Sequence, residues 1–439
     1  MLNNQNTRAG NIRQFEIFSS LNEGESIDLR AGITDLSYYE DILKNTVTLT
    51  IQVAEAGLGG NRGIVDHLPI RGGEKAHIVF VDADGGERKF VGDSGLYVNR
   101  VRNLTKGTQV DTYNIDFCSR EFLANEQCRV VKRYDGKISE NVKKILTETL
   151  SGDTGLMVPA SKIKEENFDE TLIEYNFIGN EKKPLYTCTW LASKSVPVGY
   201  DSAGFLFYET HDGFNFRSID KMFERAKKGE YKKNFIFNNT AKKPEEYSGK
   251  ILRYKINRDI DLHNNLLIGA YSNRTIFFDY YGMNYEVRNF TPEDQEGIET
   301  GGKFPIDSVS KQFRLPVSRL MSRILDIGTL PPGKSSKKEL ENWKNNPDQP
   351  TFDAAKTLVQ SLMRYNQLFT IQVKLTLGGC FDLKAGDLIH CDFPELDNSG
   401  YNTITGGIYM ISSLAHEITP QTCYTHVTVV RDSYGRKSF

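Results

Sequence analysis

One stretch carries a literal catalytic motif. Gly328-Thr329-Leu330-Pro331-Pro332-Gly333-Lys334-Ser335 satisfies the spacing of a phosphate-binding loop, in which backbone N–H groups cradle a nucleotide's phosphates and the lysine reaches the outer ones. Such a loop works when a strand precedes it and a helix N-terminus follows it in a parallel frame, with an acidic strand end nearby for magnesium. Ile324-Leu325-Asp326-Ile327 passes for the strand, but Lys337 to Pro350 has almost no apolar face to lay on a sheet. The sequence therefore favours a surface linker, and nucleotide binding at Lys334 is the enzymatic alternative. A second glycine-rich run, Gly57-Leu58-Gly59-Gly60-Asn61-Arg62-Gly63, misses the dinucleotide spacing at Arg62 and has no helical pattern after it. It reads as a loop between strands.

The histidines and cysteines offer less. His211-Asp212 sits at a hairpin tip, where a lone imidazole is ordinarily solvated, and His390, His416 and His426 fall in strand patterns without the Cys or carboxylate spacing of a metal site. Cys118, Cys128, Cys188, Cys380, Cys391 and Cys423 include no Cys-x-x-Cys pair and lie mostly among apolar strand residues, so buried free thiols are expected. No Ser-His-Asp set, His-Glu-x-x-His helix or placed carboxylate pair stands out. The reading is a non-enzyme with no catalytic, cofactor or metal residues; a cell-wall hydrolase is the other catalytic alternative.

What organises the chain is β structure. Phe369, Ile371, Val373, Leu375 and Leu377 alternate with polar residues at the period of a half-buried strand. Leu388 to Phe393, Ile408 to Ile418 and Cys423 to Arg431 follow as an antiparallel meander, broken by Leu383-Lys384-Ala385-Gly386-Asp387, by Gly406-Gly407 and by Thr419-Pro420. The same punctuation occurs early. Thr50-Ile51-Gln52-Val53 matches Thr370-Ile371-Gln372-Val373, Gly73-Glu74 stands for Gly386-Asp387, Gly95-Leu96-Tyr97 for Gly407-Ile408-Tyr409, and Arg120 for Arg431. The expectation is one β domain carried twice.

With 439 residues the chain exceeds one ordinary core, and 55 basic against 57 acidic side chains exclude a surface built wholly for nucleic acid. The polar N-terminus and the lack of an 18-residue apolar run lead to the expectation of a soluble, cytoplasmically made protein. The 21 Tyr and 25 Phe favour a β-rich class. The expected division is a first β domain over 1–120, a small α+β domain over 121–200, a second β domain split between 201–220 and 351–439, and an insertion over 221–350 with a polar linker at 331–350. Within it, Tyr38 to Lys44 is expected to be a short helix. A second helix carries Val142, Ile145, Leu146 and Thr149 behind a Ser139 cap, a third starts near Pro184, and a fourth covers Phe352 to Tyr365. Lys221 to Lys255 holds eleven Lys or Arg against four Glu, a solvated face or a contact for nucleic acid or an acidic partner surface.

The hairpin Phe205-Leu206-Phe207-Tyr208-Glu209 with Gly213-Phe214-Asn215-Phe216-Arg217-Ser218, the run Arg364 to Thr370, Leu383 to Asp387 and the closing strand Tyr424 to Asp432 together resemble the central baseplate hub of contractile-tailed phages of the T-even type. The resemblance spans most of the chain and is strongest after residue 200. It implies a β-rich α+β multidomain chain with two tail-tube-like antiparallel β-barrel or sandwich domains and two smaller α+β domains. It further implies a homotrimer whose six β modules form a pseudo-sixfold ring between a threefold cell-puncturing spike, often lysozyme-bearing, and a sixfold tail tube or tube initiator. Other baseplate proteins would be partners, DNA would pass transiently through the channel, and the protein would reside in the virion's tail baseplate after assembly in the host cytoplasm. Type VI secretion spike proteins use a related module followed by a needle repeat; since the sequence ends at Phe439 without one, the spike is expected to be a separate chain.

Overall fold

The computed structural model describes residues 10–20, 25–55, 70–107, 110–151, 154–200, 202–238, 248–258, 261–280, 283–290, 318–324, 354–395 and 400–434. Both glycine-rich motifs, Gly57 to Gly63 and Gly328 to Ser335, and the 331–350 linker lie outside these residues.

Eight strands build the first half: β1 (Asn11–Phe18), β2 (Ser26–Asp28), β3 (Ile33–Asp41), β4 (Thr48–Glu55), β5 (Lys75–Val81), β6 (Glu87–Phe90), β7 (Leu96–Thr105) and β8 (Asp111–Ser119). They pair in the order β2-β1-β5-β7-β8-β4-β3, with β6 on β5. Alternation decides which faces are buried: Leu36, Tyr38 and Glu40 of β3, and Leu49, Ile51 and Val53 of β4, turn inward onto Phe15, Ile78, Phe80, Ile115 and Phe117. Tyr38 to Asp41 is thus strand, not helix, because both edges of β3 are occupied, one by β4 and the other by a strand from the far end of the chain.

A small α+β unit follows. Helix α1 (Arg120–Gln127), strand β9 (Arg133–Tyr134), helix α2 (Ile138–Thr147), the short pair β10 (Thr149–Ser151) and β11 (Thr154–Gly155), strand β12 (Phe177–Ile178) and helix α3 (Pro184–Ala192) enclose a core of Val142, Ile145, Leu146, Leu185, Cys188 and Leu191. Proline opens α3, as expected. Helix α2 begins earlier than the sequence suggests: Lys137 is its N-cap, Ser139 lies inside it and is met by Thr171, and Thr149 belongs to β10.

The hairpin β13 (Phe205–Thr210) and β14 (Gly213–Ser218) is a sheet of its own. One face, Phe205, Phe207, Phe214 and Phe216, completes the core of the small unit. The other, Leu206 and Tyr208, packs with helix α4 (Ile219–Lys227), Leu388, Met410 and Val430. It therefore wedges between units and makes no ladder with the second β unit, where the sequence division puts it.

The second half is a closed six-stranded barrel. Strands β15 (Asn234–Phe237), β16 (Lys250–Arg258), β20 (Ile371–Gly378), β21 (Leu388–Asp392), β22 (Gly407–Ile418) and β23 (Cys423–Arg431) close in the cycle β22-β21-β15-β16-β20-β23 around Val373, Leu375, Ile389, Tyr409, Ile411, Val427 and Val429. Two of its strands come from the stretch assigned by sequence to the insertion, and β15 runs parallel to both neighbours, so the barrel is not wholly antiparallel. The reason is topological: β20 and β21 each need a partner, and a crossover through 221–258 supplies it. Helix α5 (Leu262–Leu267) leads to a separate sheet, β17 (Asn273–Asp279) between β18 (Asn284–Phe290) and β19 (Arg319–Ile324). That sheet lays Phe277 and Phe290 on Val359 and Met363 of helix α6 (Ala354–Leu368), which feeds β20.

The two halves share details of wiring. Strands β4-β8-β7-β5 pair in the order of β20-β23-β22-β21, with β3 on β4 as β16 on β20. Two ladder breaks match, between Val98 and Arg100 on β7 and Ile411 and Ser413 on β22, and between Ile33 and Asp35 on β3 and Ile251 and Arg253 on β16, while those between Arg102 and Thr105 on β7 and between Ile256 and Arg258 on β16 have no counterpart. One turn recurs bond for bond. Gly73 (φ 89°) donates to the Val98 carbonyl while the Val98 N–H reaches Glu74, and Gly386 (φ 84°) and Asp387 make the same exchange with Ile411 at 2.8 and 2.9 Å. Each acid also accepts from the N–H three residues before it, Arg71 for Glu74 and Lys384 for Asp387. The four-letter match of Thr50–Val53 with Thr370–Val373 is not a match of register, however. Phe117 faces Leu49 where Val429 faces Val373, so Ile51 corresponds to Leu375. The letters are four residues out; an even slip keeps every side chain on its face, which is why spelling misses it.

Candidate functional site

The features that fix this molecule's shape converge where the two β halves meet. Residues Leu36–Asp41 of β3 pair antiparallel with Ser413–Ile418 of β22, making one sheet of both halves. Beneath that seam Tyr38 stacks on His416, with ring centroids 6.1 Å apart and planes at 15°. The Tyr38 hydroxyl donates to Glu40 Oε1 at 2.8 Å. Glu40 then grips two other segments: its Oε1 accepts the His211 N–H and its Oε2 the Ala385 N–H, both at 2.7 Å.

The loop Cys380 to Asp387 is held from several sides. Asp82 accepts the Phe381 N–H at 2.6 Å, Arg88 donates to the Leu383 carbonyl at 2.6 Å, and His416 Nε2 lies 3.1 Å from that same oxygen. His416 Nδ1 meets the Thr425 hydroxyl. Burial and then the Arg88 charge hold the His416 imidazole well below its usual 6.5, which keeps it neutral and matches one N–H donated to Leu383. Phe381 inserts into the first half's core, 5.3 Å from Phe80.

The hairpin tip is no solvated turn. His211 Nε2 accepts the Lys89 N–H at 3.1 Å, and Asp212 is bound by Lys384 with Lys164 3.5 Å away. Hydrogen bonding to His211, then Lys384, holds the Asp212 carboxyl far below its ordinary range despite burial. Deeper in, Lys162 bridges Glu121 (2.8 Å) and Glu209 (3.0 Å), and Glu209 also accepts the Val47 N–H. Burial by itself would lower the lysine, but the two carboxylates outweigh it and hold it charged. Arg364 of α6 binds Asp220 at the start of α4 and Asp432 just past β23. Each buried charge spends its hydrogen bonds on a different chain segment, so together they fix the relative placement of the units.

Of the remaining residues singled out in the sequence, His426 lies between Thr376 and Glu417, and His390 lies 3.7 Å from Asp392, so the three strand histidines have separate surroundings. All six cysteines are buried free thiols. Among the described residues no three His, Cys, Asp or Glu are grouped to hold a metal, and no helix is long and apolar enough to cross a membrane. Of the basic stretch, Arg253 and Lys255 are exposed on β16, while Lys233 reaches Cys380 and Asp382, each at 3.2 Å. The sequence assigns no buried charge to Glu40, Asp82, Arg88, Lys162 or Arg364, since a buried charge is spelled like an exposed one. Glu40 alone carried a signal, continuing the inward alternation Leu36, Tyr38.

No protein-family model matches the sequence, and no curated protein does. Solved structures do match. The tail protein from Neisseria meningitidis MC58 superposes with a TM-score of 0.52 at 10% identity, over 95% of this chain and 96% of that one. This chain has that tail protein's fold. The 43 kDa tail protein of prophage MuSo2 from Shewanella oneidensis (TM-score 0.49, 9% identity, 95% and 98% covered) and a prophage tail protein from Listeria monocytogenes EGD-e (0.45, 9%, 96% and 95%) are more distant.

Proposed function

We propose that this chain is a structural hub of a phage-type tail baseplate, working by symmetry matching and templated assembly and not by bond chemistry. Its two β units are copies of one tube-like module, and three chains set six modules in a pseudo-sixfold ring. One face of the ring seats a threefold spike, and the other starts a sixfold tail tube, with DNA passing through the centre. The observation that carries this reading is the coincidence of bulges and of the Gly-acid turn in the two halves, because irregularities recur at equivalent places in copies and not in sheets that merely share a class. The tail-protein fold supports it. So does the clamp of buried charges, which suits a part that must hold two modules at one fixed angle. The domain division follows: 1–120 and the barrel of 234–258 with 371–431 as modules, 121–200 with the 205–218 hairpin as a brace, and the rest of 221–350 as an insertion.

The test is the solution mass by light scattering, alone and with a candidate threefold spike. Three 49.8 kDa chains come to about 149 kDa. A trimer in either condition is the expected result; a monomer or dimer in both overturns the hub, and nucleotide binding or cell-wall lysis by the purified chain would then be the activities to assay.

A further inference from the structure

Within one chain the modules are joined along two particular edges, Leu36–Asp41 of β3 and Ser413–Ile418 of β22, with Leu36 opposite Ile418 and Asp41 opposite Ser413. Each edge has a counterpart in the other module. Strand β16 takes in the barrel the place of β3, paired antiparallel to β20 as β3 is to β4 and bulged at the same point. Strand β7 takes the place of β22, again with a matching bulge.

Both counterparts are open. On the side of β7 away from β8, β5 pairs only with Leu96 and Tyr97, and the turn at Gly73-Glu74 reaches only Val98. From Asn99 to Thr105 that edge has no ladder among the described residues. On the side of β16 away from β20, β15 pairs only with Lys250 and Ile251, and beyond them the edge is likewise without a ladder among the described residues. An edge of unpaired N–H and C=O groups is a template for another strand. Leu104 (47% exposed) and Ile256 (41%) lie on these two edges. Arg100 and Arg102 on β7 are already bound to Asp116, which limits repulsion from Arg253 and Lys255 on β16.

We infer that the partner for each edge is a second copy of this chain: β16 of one subunit pairs antiparallel with β7 of the next, repeating between chains the seam that β3 and β22 make within one. This rests on the six-module reading and names its contact. The register carries over from the internal seam. Thr105 faces Thr112 as Glu417 faces Tyr424, the bulge between Arg102 and Thr105 having no counterpart on β22, so Ser37 opposite Glu417 becomes Lys255 opposite Thr105, and Tyr38 opposite His416 becomes Ile256 opposite the bulged pair Asn103-Leu104. The two edges differ, so the contact is head-to-tail and closes only when the rotation does, here after three chains and six seams.

Directly opposed antiparallel residues have Cα atoms about 4.5–5.5 Å apart, inside the range a disulfide spans. The full-length double variant Thr105→Cys/Lys255→Cys, oxidised and run without reductant, is expected to give linked species up to three chains that reductant returns to one. Each single variant stays as one chain. A trimer of about 149 kDa whose double variant does not cross-link overturns this contact and leaves the hub standing. Cross-linking by either single variant also overturns it, since like edges would then meet. A monomer with and without the spike, with no cross-link, removes hub and contact together.

Discussion

Asp387 shows how one residue serves the loop that joins the modules. Its carboxylate accepts the Lys384 N–H, and burial pushes its pKa up to about 6, against the pull of the nearby lysine charge. An acid whose folded pKa lies above its unfolded value holds its proton more tightly when folded, so stability falls as pH rises through the window from about 4 to 6. Asp387→Asn keeps an acceptor for Lys384 and loses the titration. Denaturant melts at pH 4.5 and 7.5 should show the variant gaining on the wild type by about 1–3 kcal/mol at the higher pH, and equal differences at the two pH values would refute the assignment. His416 acts in the opposite sense, since below pH 6.5 the unfolded chain takes up a proton that the buried imidazole does not and stability falls with falling pH, so the variant comparison and not the wild-type profile isolates Asp387.

At the scale of elements, the recurring Gly-acid turn permits a matched comparison. Gly73 and Gly386 have nearly the same positive φ, where a side chain is strained by roughly 1–2 kcal/mol. Their surroundings differ. A Cβ at Gly73 meets nothing within 4 Å, whereas one at Gly386 would lie 1.9 Å from the Tyr208 hydroxyl of the wedge hairpin. Gly73→Ala is therefore expected to cost the backbone strain alone, and Gly386→Ala that strain plus displacement of the hairpin, at least about 1 kcal/mol more by equilibrium unfolding. Equal losses would mean the hairpin does not press on the turn.

Across the whole molecule, the modules do not own separate cores. Phe381, Ile418 and Cys423, from the last quarter of the chain, complete the core of the first sheet, and Glu40 and Asp82 of that sheet hold the loop at Phe381 and Ala385. A fragment of residues 1–120 should consequently lack a cooperative thermal transition and bind an apolar dye, while the full chain melts cooperatively. A fragment that melts sharply by itself would show that the first module stands without its neighbour.

Much of this was legible in the letters. Strict alternation marked the barrel strands at Ile371–Gly378 and Cys423–Arg431, Pro184 marked α3, the glycine before an acid marked the shared turn, and apolar surroundings marked the cysteines as buried, because each depends on neighbours within a few residues. Four things depended on residues far apart in the chain. The register of β4 against β8 was hidden because an even slip preserves the alternation. The strandedness of Tyr38 came from partners on both edges, one of them nearly 380 residues away. The recruitment of β15 and β16 into the barrel answered an open edge that no local pattern records. The buried charges became visible only once folding had removed their water and placed a partner from another segment beside each, which is a property of the assembled chain and not of any stretch of it.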